Sequence, residues 1–179
     1  MATTKLWTAD ELEQLPDDEY QYALIKGELF RMPPPKFLHG RIVLAVGAPM
    51  FQFVAEHSLG VVSDQSGFIL ERDPDTLLGP DLAFVQSARV PVDENAYPML
   101  ALDLVVEVAS PSQSGPSIEE KTALYLEAGV RLVWAVDAAR RTVRVRRPDG
   151  TDRLLTANDV LDGEDVLPGF RLPIAQLFA

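Results

Sequence analysis

Three charged residues occupy positions where charge is unexpected, and their types indicate metal-assisted chemistry. Glu107 lies inside "LDLVVEVAS", a run that is typical of a strand buried on both faces. An isolated ionised carboxylate at such a position is strongly disfavoured unless it is paired or binds a metal. Asp81 begins the strand-like run "DLAFV". Two carboxylates on neighbouring strands suit a hard cation such as Mg²⁺ or Mn²⁺, so the sequence predicts a two-carboxylate metal site.

Each carboxylate also has a purely structural interpretation. Glu107 lies three residues before "SPS", near the C-terminal end of its strand, where a salt bridge or solvent would satisfy it. The same end of a strand is where ligands bind in open α/β sheets. Asp81 follows Gly-Pro, which is a common context for an aspartate in a turn. Taken singly, neither carboxylate decides between the two interpretations.

Lys121 shares one face of a predicted helix with apolar residues. The helix begins after Ser117, an N-cap residue with Glu120 three positions later, as in a capping box. The positions three before and three, four and seven after Lys121 lie on its face of the helix: Ile118, Leu124, Tyr125 and Ala128. An apolar face packs on the sheet, so we expect this lysine to reach the carboxylates. The alternative is a lysine that extends past its neighbours to solvent.

The elements that must position these residues predict an α/β fold, with a mixed β-sheet flanked by helices. The strand around Glu107, the helix of Lys121 and the strand "RLVWAVD" have the length of a right-handed parallel crossover. The other strands are joined by short turns and are expected to be antiparallel. "YQYALIKGELFRMP" predicts an additional N-terminal hairpin that turns at Gly27, and "SPSQSGPS" predicts a polar loop. "RTVRVRR" and the segments after it predict C-terminal strands.

Composition narrows the possible function classes. The chain has 179 residues, 47% of them hydrophobic, which is typical of one globular domain over residues 1–179. No apolar run is expected to span a bilayer, so no membrane partner is predicted. The absence of cysteine excludes disulfides, thiolate metal sites and cysteine nucleophiles, and agrees with a cytoplasmic location. The net charge of −11 repels nucleic acid on average, so a polyanion would have to meet a local basic surface or a bound cation.

Four segments in a fixed order carry a resemblance to a known family. "GPDLAFV", "DLVVEVASPS", "EEKTALYLEAGVRLVWAVD" and "LPGF" together resemble the Uma-type restriction endonuclease family of the PD-(D/E)xK nuclease superfamily. The resemblance extends from about Tyr20 to the end of the chain. It implies a restriction endonuclease-like fold and Mg²⁺- or Mn²⁺-dependent hydrolysis of phosphodiester bonds in nucleic acid, with DNA as the expected substrate. We also expect a homodimer, because cutting both strands needs two sites and because dimers are common.

The resemblance assigns roles to individual residues. Asp81 matches the acidic residue of the "PD" element, and Glu107 matches the acidic residue of the (D/E)xK element. The lysine normally expected two residues later is absent, because Ala109 stands there, and Lys121 of the following helix takes its place. Asp81, Glu107 and the backbone carbonyl of Val108 are the expected metal ligands. Lys121 is expected to orient the attacking water and to stabilise the developing negative charge.

Further candidates have two interpretations each. His39 matches a histidine that precedes the long helix in the family and is either an accessory catalytic residue or a capping residue. Glu28 is either an additional carboxylate ligand or an exposed hairpin residue. Arg144 and Arg146 either follow a phosphate backbone or protect a sheet edge from aggregation. His57, at a helix end, is expected to be structural.

Three positions depart from the family pattern and favour a different function. Ala23 and Leu132 stand where the family often has glutamate, and Ser117 stands where it often has aspartate. These losses, together with the acidic net charge, favour a catalytically inactive nuclease-fold protein that acts as a binding or regulatory module. The three central residues of the motif are nevertheless intact.

Overall fold

The structure is a computed structural model that describes residues 5–16, 18–109 and 115–179. The first five residues of the predicted polar loop, 110–114, lie outside these ranges. The helices are α1 (Ala9–Leu12), α2 (Phe37–Glu56), α3 (Ile118–Glu127) and α4 (Ile174–Leu177). The strands are β1 (Gln21–Ile25), β2 (Glu28–Met32), β3 (Gly60–Asp64), β4 (Phe68–Glu71), β5 (Thr76–Leu78), β6 (Leu82–Gln86), β7 (Leu104–Ala109), β8 (Leu132–Asp137), β9 (Thr142–Arg146), β10 (Asp152–Leu155), β11 (Val160–Asp162) and β12 (Arg171–Pro173).

A six-stranded mixed sheet forms the centre of the fold, in the order β10-β9-β8-β7-β6-β3. Strands β7 and β8 are parallel and are connected through α3, whereas all other neighbours in this sheet are antiparallel. Strand β7 has neighbours on both sides and its apolar residues are buried, which explains its continuous apolar sequence. The predicted α/β class, the mixed sheet and the parallel crossover are therefore confirmed.

Helices cover the two faces of this sheet. On one face, Val106 and Val108 of β7 pack in a core cluster with residues of α2 and of the C-terminal segment. On the other face, Val105 packs in a second cluster with Tyr125 of α3. Because side chains alternate along a strand, Glu107 shares the α3 face with Val105. This alternation places the buried carboxylate beneath α3.

A second sheet, in the order β2-β1-β5-β4, is built around the predicted N-terminal hairpin. The hairpin turns at Lys26 and Gly27, whose φ angles of 49° and 79° are both positive, as a two-residue type I′ turn requires. Strands β3 and β5 were not predicted from the sequence. Strands β11 and β12 form a separate two-stranded antiparallel sheet.

Helix α2 is long and apolar enough to cross a bilayer, by length and composition alone. This finding corrects the expectation that no apolar run reaches that length. One face of α2 contributes Ile42, Val46 and Met50 to the core, as a buried helix of a globular domain does. The core face accounts for only part of the hydropathy, because Leu44 and Phe51 are exposed on the opposite side.

Candidate functional site

Glu107 is the buried carboxylate at the centre of the site. Only 2% of its surface is exposed. Its Oε2 accepts a hydrogen bond from Lys121 Nζ at 3.0 Å, and its Oε1 accepts one from the Tyr125 hydroxyl at 2.8 Å. Both oxygens are therefore paired, which offsets part of the cost of removing a charge from water.

Helix α3 brings Lys121 and Tyr125 to the sheet together. Ser117 caps the helix, since its side chain accepts a hydrogen bond from the backbone N–H of Glu120 at 3.1 Å. Residues four apart lie on the same helix face, so the lysine and the tyrosine reach the same strand. Tyr125 was not among the site residues that the sequence predicted. Its spacing of four from Lys121 on the sheet-facing side is the signal that could have identified it.

The register of β6 against β7 places Asp81 beside Glu107. The two strands are antiparallel and Leu82 pairs with Val106. Asp81, one residue before Leu82, therefore lies opposite Glu107, one residue after Val106. Side chains directly opposite one another lie on the same face, with Cβ atoms about 5 Å apart. Two carboxylates on neighbouring strands therefore meet under α3, which is the pairing that the sequence predicted.

Asp81 is held in place by two donors. Its Oδ2 accepts a hydrogen bond from the backbone N–H of Val108 at 2.7 Å and lies 3.2 Å from His39 Nε2. His39 is in the first turn of α2 and is buried. The hydrogen bond with Asp81 raises the pKa of His39, and the negative charge of Glu107 acts in the same direction. His39 Nδ1 is buried and has no hydrogen-bond partner in the described part of the chain.

The electrostatics of Glu107 reflect competing effects. Burial is the largest influence and raises the pKa of its carboxyl group, and the nearby charge of Asp81 raises it further. Lys121 and the hydrogen bond from Tyr125 lower that pKa. Burial also raises the pKa of Tyr125 well above its usual value, so its hydroxyl remains a hydrogen-bond donor to Glu107. The cluster is thus a pair of close carboxylates whose repulsion is only partly compensated.

A cavity of about 420 Å³ opens beside this cluster. His39, Asp81 and Lys121 line it together with residues of the N-terminal hairpin region, and Glu107 lies beneath Lys121 without lining the wall. The hairpin side of the cavity is formed by Tyr20, Gln21, Tyr22, Met32, Pro33, Pro34 and Pro35. The second sheet therefore supplies one wall of the site, and the titratable groups beside it come from α2 with His39, from α3 with Lys121 and from Asp81 directly before β6.

Glu28 and His57 lie outside this arrangement. Glu28 is exposed at the start of β2, whereas Met32 at the other end of that strand lines the cavity. Four residues of strand separate them by about 13 Å. His57 is exposed at the C-terminal end of α2, where its Nδ1 lies 2.8 Å from the Phe53 carbonyl oxygen. The structure thus does not bring Glu28 to the carboxylates.

Arg144 and Arg146 are engaged with acidic neighbours on the outer strands of the sheet. Arg144 contacts both oxygens of Asp152, at 2.6 and 2.8 Å. Arg146 pairs with Glu119 at 2.7 Å and approaches Asp152 at 3.5 Å. A phosphate backbone would have to displace these carboxylates. Strand β9 is paired with β8 on one side and β10 on the other, so the arginines do not protect a sheet edge either. Their ion pairs instead connect β9 to Asp152 of β10 and to Glu119 of α3.

A second buried carboxylate, Asp103, lies directly before the first residue of β7. Arg89 Nη1 lies 2.7 Å from its Oδ1, and the backbone N–H of Gln86 donates to its Oδ2 at 2.9 Å. Arg131 contributes a longer contact of 3.4 Å. Asp103 therefore has its own cationic partners, unlike Glu107 and Asp81, which share Lys121 and His39. It serves as an internal comparison for the site.

The donor set fits a hard cation held by two carboxylates. Within residues 5–16, 18–109 and 115–179, no group of three or more histidine and acidic side chains is placed to hold a metal. Mg²⁺ is usually bound by one or two carboxylates, with water and substrate oxygens completing its shell. The backbone N–H of Val108 donates to Asp81, so Val108 lies beside the carboxylate pair. A divalent cation between Asp81 and Glu107 would relieve their mutual repulsion.

Comparisons with known proteins agree with this architecture. A family model described as "Uma2: Putative restriction endonuclease" matches residues 9–175. No curated protein matches the chain. The fold is similar to a crystal structure described as "a putative nuclease belonging to DUF820 from Anabaena variabilis", with a TM-score of 0.83 and 23% sequence identity over 96% of this chain and 97% of the other. At that identity the likeness establishes the fold.

Proposed function

The chain belongs to the Uma2 restriction endonuclease family, and on that premise we propose that it is a metal-dependent nuclease that hydrolyses phosphodiester bonds in DNA. The observation that carries the proposal is the register that sets Asp81 opposite Glu107, with Lys121 Nζ 3.0 Å from Glu107. An acidic pair with an adjacent lysine, open to a cavity, is an arrangement suited to attack on a phosphate.

In the proposed mechanism, Asp81, Glu107 and the carbonyl oxygen of Val108 would hold Mg²⁺ or Mn²⁺. When bound, the cation would neutralise charge on the scissile phosphate and lower the pKa of a coordinated water. Lys121 donates a hydrogen bond to Glu107 and also lines the cavity. Its ammonium group can therefore orient a water and stabilise negative charge that develops on the phosphate.

His39 and Tyr125 would hold the carboxylates in position. Tyr125 fixes one oxygen of Glu107 from a buried site, so it acts through that carboxylate as a positioning residue. His39 contacts Asp81 from the opposite side and also lines the cavity. Its raised pKa favours a positive charge near the phosphate, where it would serve as an accessory acid or phosphate contact.

The chain's acidic surface limits how nucleic acid reaches the cavity. With a net charge of −11, most of the surface repels a polyanion. The proposal therefore assigns the attraction to the bound cation, Lys121 and His39 at the cavity, and not to a broad basic surface. A cytoplasmic location, where nucleic acid is accessible, agrees with the absence of cysteine.

A second candidate function is a catalytically inactive binding or regulatory module. The observation that favours it is that both oxygens of Glu107 already accept hydrogen bonds, one from Lys121 and one from Tyr125. A metal must compete with at least one of these contacts. In an inactive relative the same cluster would be a buried ion pair that only supports the fold.

The test is cleavage of supercoiled plasmid, single-stranded DNA and RNA by purified protein with Mg²⁺, Mn²⁺ or a chelator. The proposal expects cleavage of DNA that requires the cation and is lost in Asp81→Ala and in Lys121→Ala. Cleavage retained in both variants would assign the activity to a contaminant. A folded protein without cation-dependent cleavage of any substrate would favour the inactive module.

Asp103→Asn is the matched control for these variants. It removes a buried carboxylate that lies four residues before Glu107, but one whose partners are Arg89 and Arg131. Its cleavage per folded molecule is expected to equal that of the wild type. Equal losses in Asp103→Asn and Asp81→Ala would point to general destabilisation and would remove the support for a catalytic role of Asp81.

A further inference from the structure

The outer face of α2 carries an exposed stripe of large apolar side chains at a regular spacing. Phe37 is 88% exposed, Leu44 69% and Phe51 61%, and each lies seven residues from the next. Small or flexible residues alternate with them at intervals of four and three. The outer stripe of α2 consists of Phe37, Arg41, Leu44, Ala48, Phe51 and Ala55.

Alternating intervals of three and four are typical of two helices that pack along each other. A helix that is apolar on all sides is normally buried on all sides, and the opposite face of α2 is already in the core. Within the described part of the chain, Arg41 of the outer stripe donates to the carbonyl oxygen of Ala179, whereas the large apolar residues of the stripe are left exposed. We propose that a second copy of this chain covers it, with the two α2 helices antiparallel about a two-fold axis level with Val46.

The antiparallel register matches large residues with small ones. With the axis level with Val46, Phe37 faces Ala55 of the partner subunit and Leu44 faces Ala48 of the partner subunit. Alternation of large and small side chains across facing positions is how two surfaces interdigitate without voids. Phe51 faces Arg41 of the partner subunit. The guanidinium of Arg41 already donates to the carbonyl oxygen of Ala179 in its own chain, so the aliphatic stem of the arginine is the part that would pack on the ring.

A parallel pairing lacks these matches. It would place Phe37 against Phe37 of the partner subunit and Arg41 against Arg41 of the partner subunit, so like charges would meet inside the contact. In the antiparallel pairing Arg41 instead lies near Gln52 and Glu56 of the partner subunit, which stand along the same edge of the stripe. Charge and shape therefore both select the antiparallel arrangement.

The exposed area is sufficient for a stable dimer. The two phenylalanines expose roughly 300 Å² per copy, taking about 200 Å² for a full aromatic side chain. Leu44, which is 69% exposed, and the two exposed alanines add further apolar area. A standard interface buries about 800 Å² per partner, of which about 450 to 520 Å² is apolar. The outer stripe supplies most of that apolar share.

A lipid surface is a less suitable occupant. Helices that lie in a membrane interface carry many lysines and arginines on their polar face. The face of α2 opposite the stripe is packed in the core, and Arg41 is the one lysine or arginine within the helix. The net charge of −11 also opposes binding to anionic lipid.

Sedimentation velocity over a dilution series tests the proposal with a matched pair of variants. The wild type is expected to sediment as twice its 19.7 kDa mass. Leu44→Glu buries two carboxylates at the centre of the contact and is expected to raise the dimer dissociation constant about 100-fold or more. Leu154→Glu is the control, because Leu154 is 61% exposed on β10, away from α2. Circular dichroism verifies that both variants remain folded.

Cysteine cross-linking tests the register, since the chain has no cysteine of its own. Phe37→Cys and Ala55→Cys proteins, each prepared alone, are expected to stay uncross-linked under mild oxidation, because like positions lie about 27 Å apart along the antiparallel pair. After the two proteins are mixed and allowed to exchange subunits, a disulfide-linked dimer is expected.

Several outcomes would overturn the proposal. A monomeric wild type at the highest concentration, or equal weakening by Leu44→Glu and Leu154→Glu, would show that the stripe does not join two copies. Cross-linking of Phe37→Cys alone would contradict the antiparallel register. A monomeric wild type that co-sediments with phosphatidylcholine and phosphatidylglycerol vesicles, when Leu44→Glu does not, would show that the stripe binds a lipid surface instead of a second copy.

Discussion

Removing the Lys121 ammonium group leaves Glu107 as an uncompensated buried carboxylate. In Lys121→Met the side chain keeps its length and apolar stem, while the hydrogen bond of 3.0 Å to Glu107 is lost. The remaining donor is Tyr125, and Asp81 still repels a charge at Glu107. The carboxyl group is therefore expected to take up a proton on folding, because this neutralises it at lower cost than burying the charge.

The magnitude follows from the protonation step. Protonating a carboxyl group with the ordinary pKa of 4.5 costs up to about 3.4 kcal/mol at about pH 7, at about 1.36 kcal/mol per pH unit. This agrees with the range of about 3 to 5 kcal/mol for breaking a buried ion pair. The folded variant holds a proton that the unfolded chain lacks, so its stability falls as pH rises. The deficit, by which the unfolding free energy of Lys121→Met lies below that of the wild type, shrinks to about 0.7 kcal/mol at about pH 5.

Urea unfolding followed by circular dichroism, with a chelator present, measures this difference at the two pH values. Glu107→Gln/Lys121→Met removes both charges, retains an acceptor for Tyr125 and is expected to recover most of the loss. A deficit of Lys121→Met below about 0.5 kcal/mol at both pH values would refute the reasoning, because that is the effect of an ordinary surface substitution. A deficit that is large but independent of pH would show that Glu107 does not take up the proton.

Three other predictions concern the neighbours of Glu107. Tyr125→Phe leaves the buried Oε1 of Glu107 unpaired and should lower the unfolding free energy by about 1 to 3 kcal/mol; an unchanged urea midpoint would contradict the buried contact. Because the pKa of His39 is raised in the folded state, its stabilising contact is fully present below about pH 6.5 and is lost as the pH rises through the folded value. The advantage of the wild type over His39→Gln in chelator should therefore shrink between about pH 6 and pH 8, and an advantage that grows would have the wrong sign. Mg²⁺ at 100 times its dissociation constant should stabilise the folded wild type by about 2.7 kcal/mol and so raise its thermal midpoint, whereas the midpoint of Asp81→Asn should not rise. Equal shifts of the two midpoints would place the cation elsewhere.

The sequence was sufficient to predict the parts of the site that depend on local periodicity. The apolar neighbours of Lys121 at helical spacing indicated a lysine that faces the sheet, and Ser117 marked where the helix begins. The continuous apolar run around Glu107 indicated a strand with neighbours on both sides. Because these signals are set by residues within one or two turns of the chain, they survive into the fold.

The sequence predicted that Asp81 and Glu107 share a site, but the strand register that sets them opposite one another was not accessible from the sequence. Asp81 faces Glu107 because Leu82 pairs with Val106, and the segment joining those strands is too long for a turn to fix their register. Strands β3 and β5 are short and lack a clear alternation of apolar and polar residues, so periodicity did not reveal them. Tyr125 was overlooked because an aromatic residue on a core-facing helix surface usually serves packing alone.

The rate of Mn²⁺-dependent nicking of supercoiled plasmid by Glu107→Gln, compared with Asp103→Asn, tests the central claim most directly. Both variants neutralise a buried carboxylate, on β7 or directly before it, but only Glu107 adjoins Lys121 and Asp81. A catalytic cluster predicts a rate about 100-fold or more below wild type for Glu107→Gln and a near wild-type rate per folded molecule for Asp103→Asn. Equal rates in the two variants would contradict the assignment of Asp81, Glu107 and Lys121 as the site of phosphodiester hydrolysis.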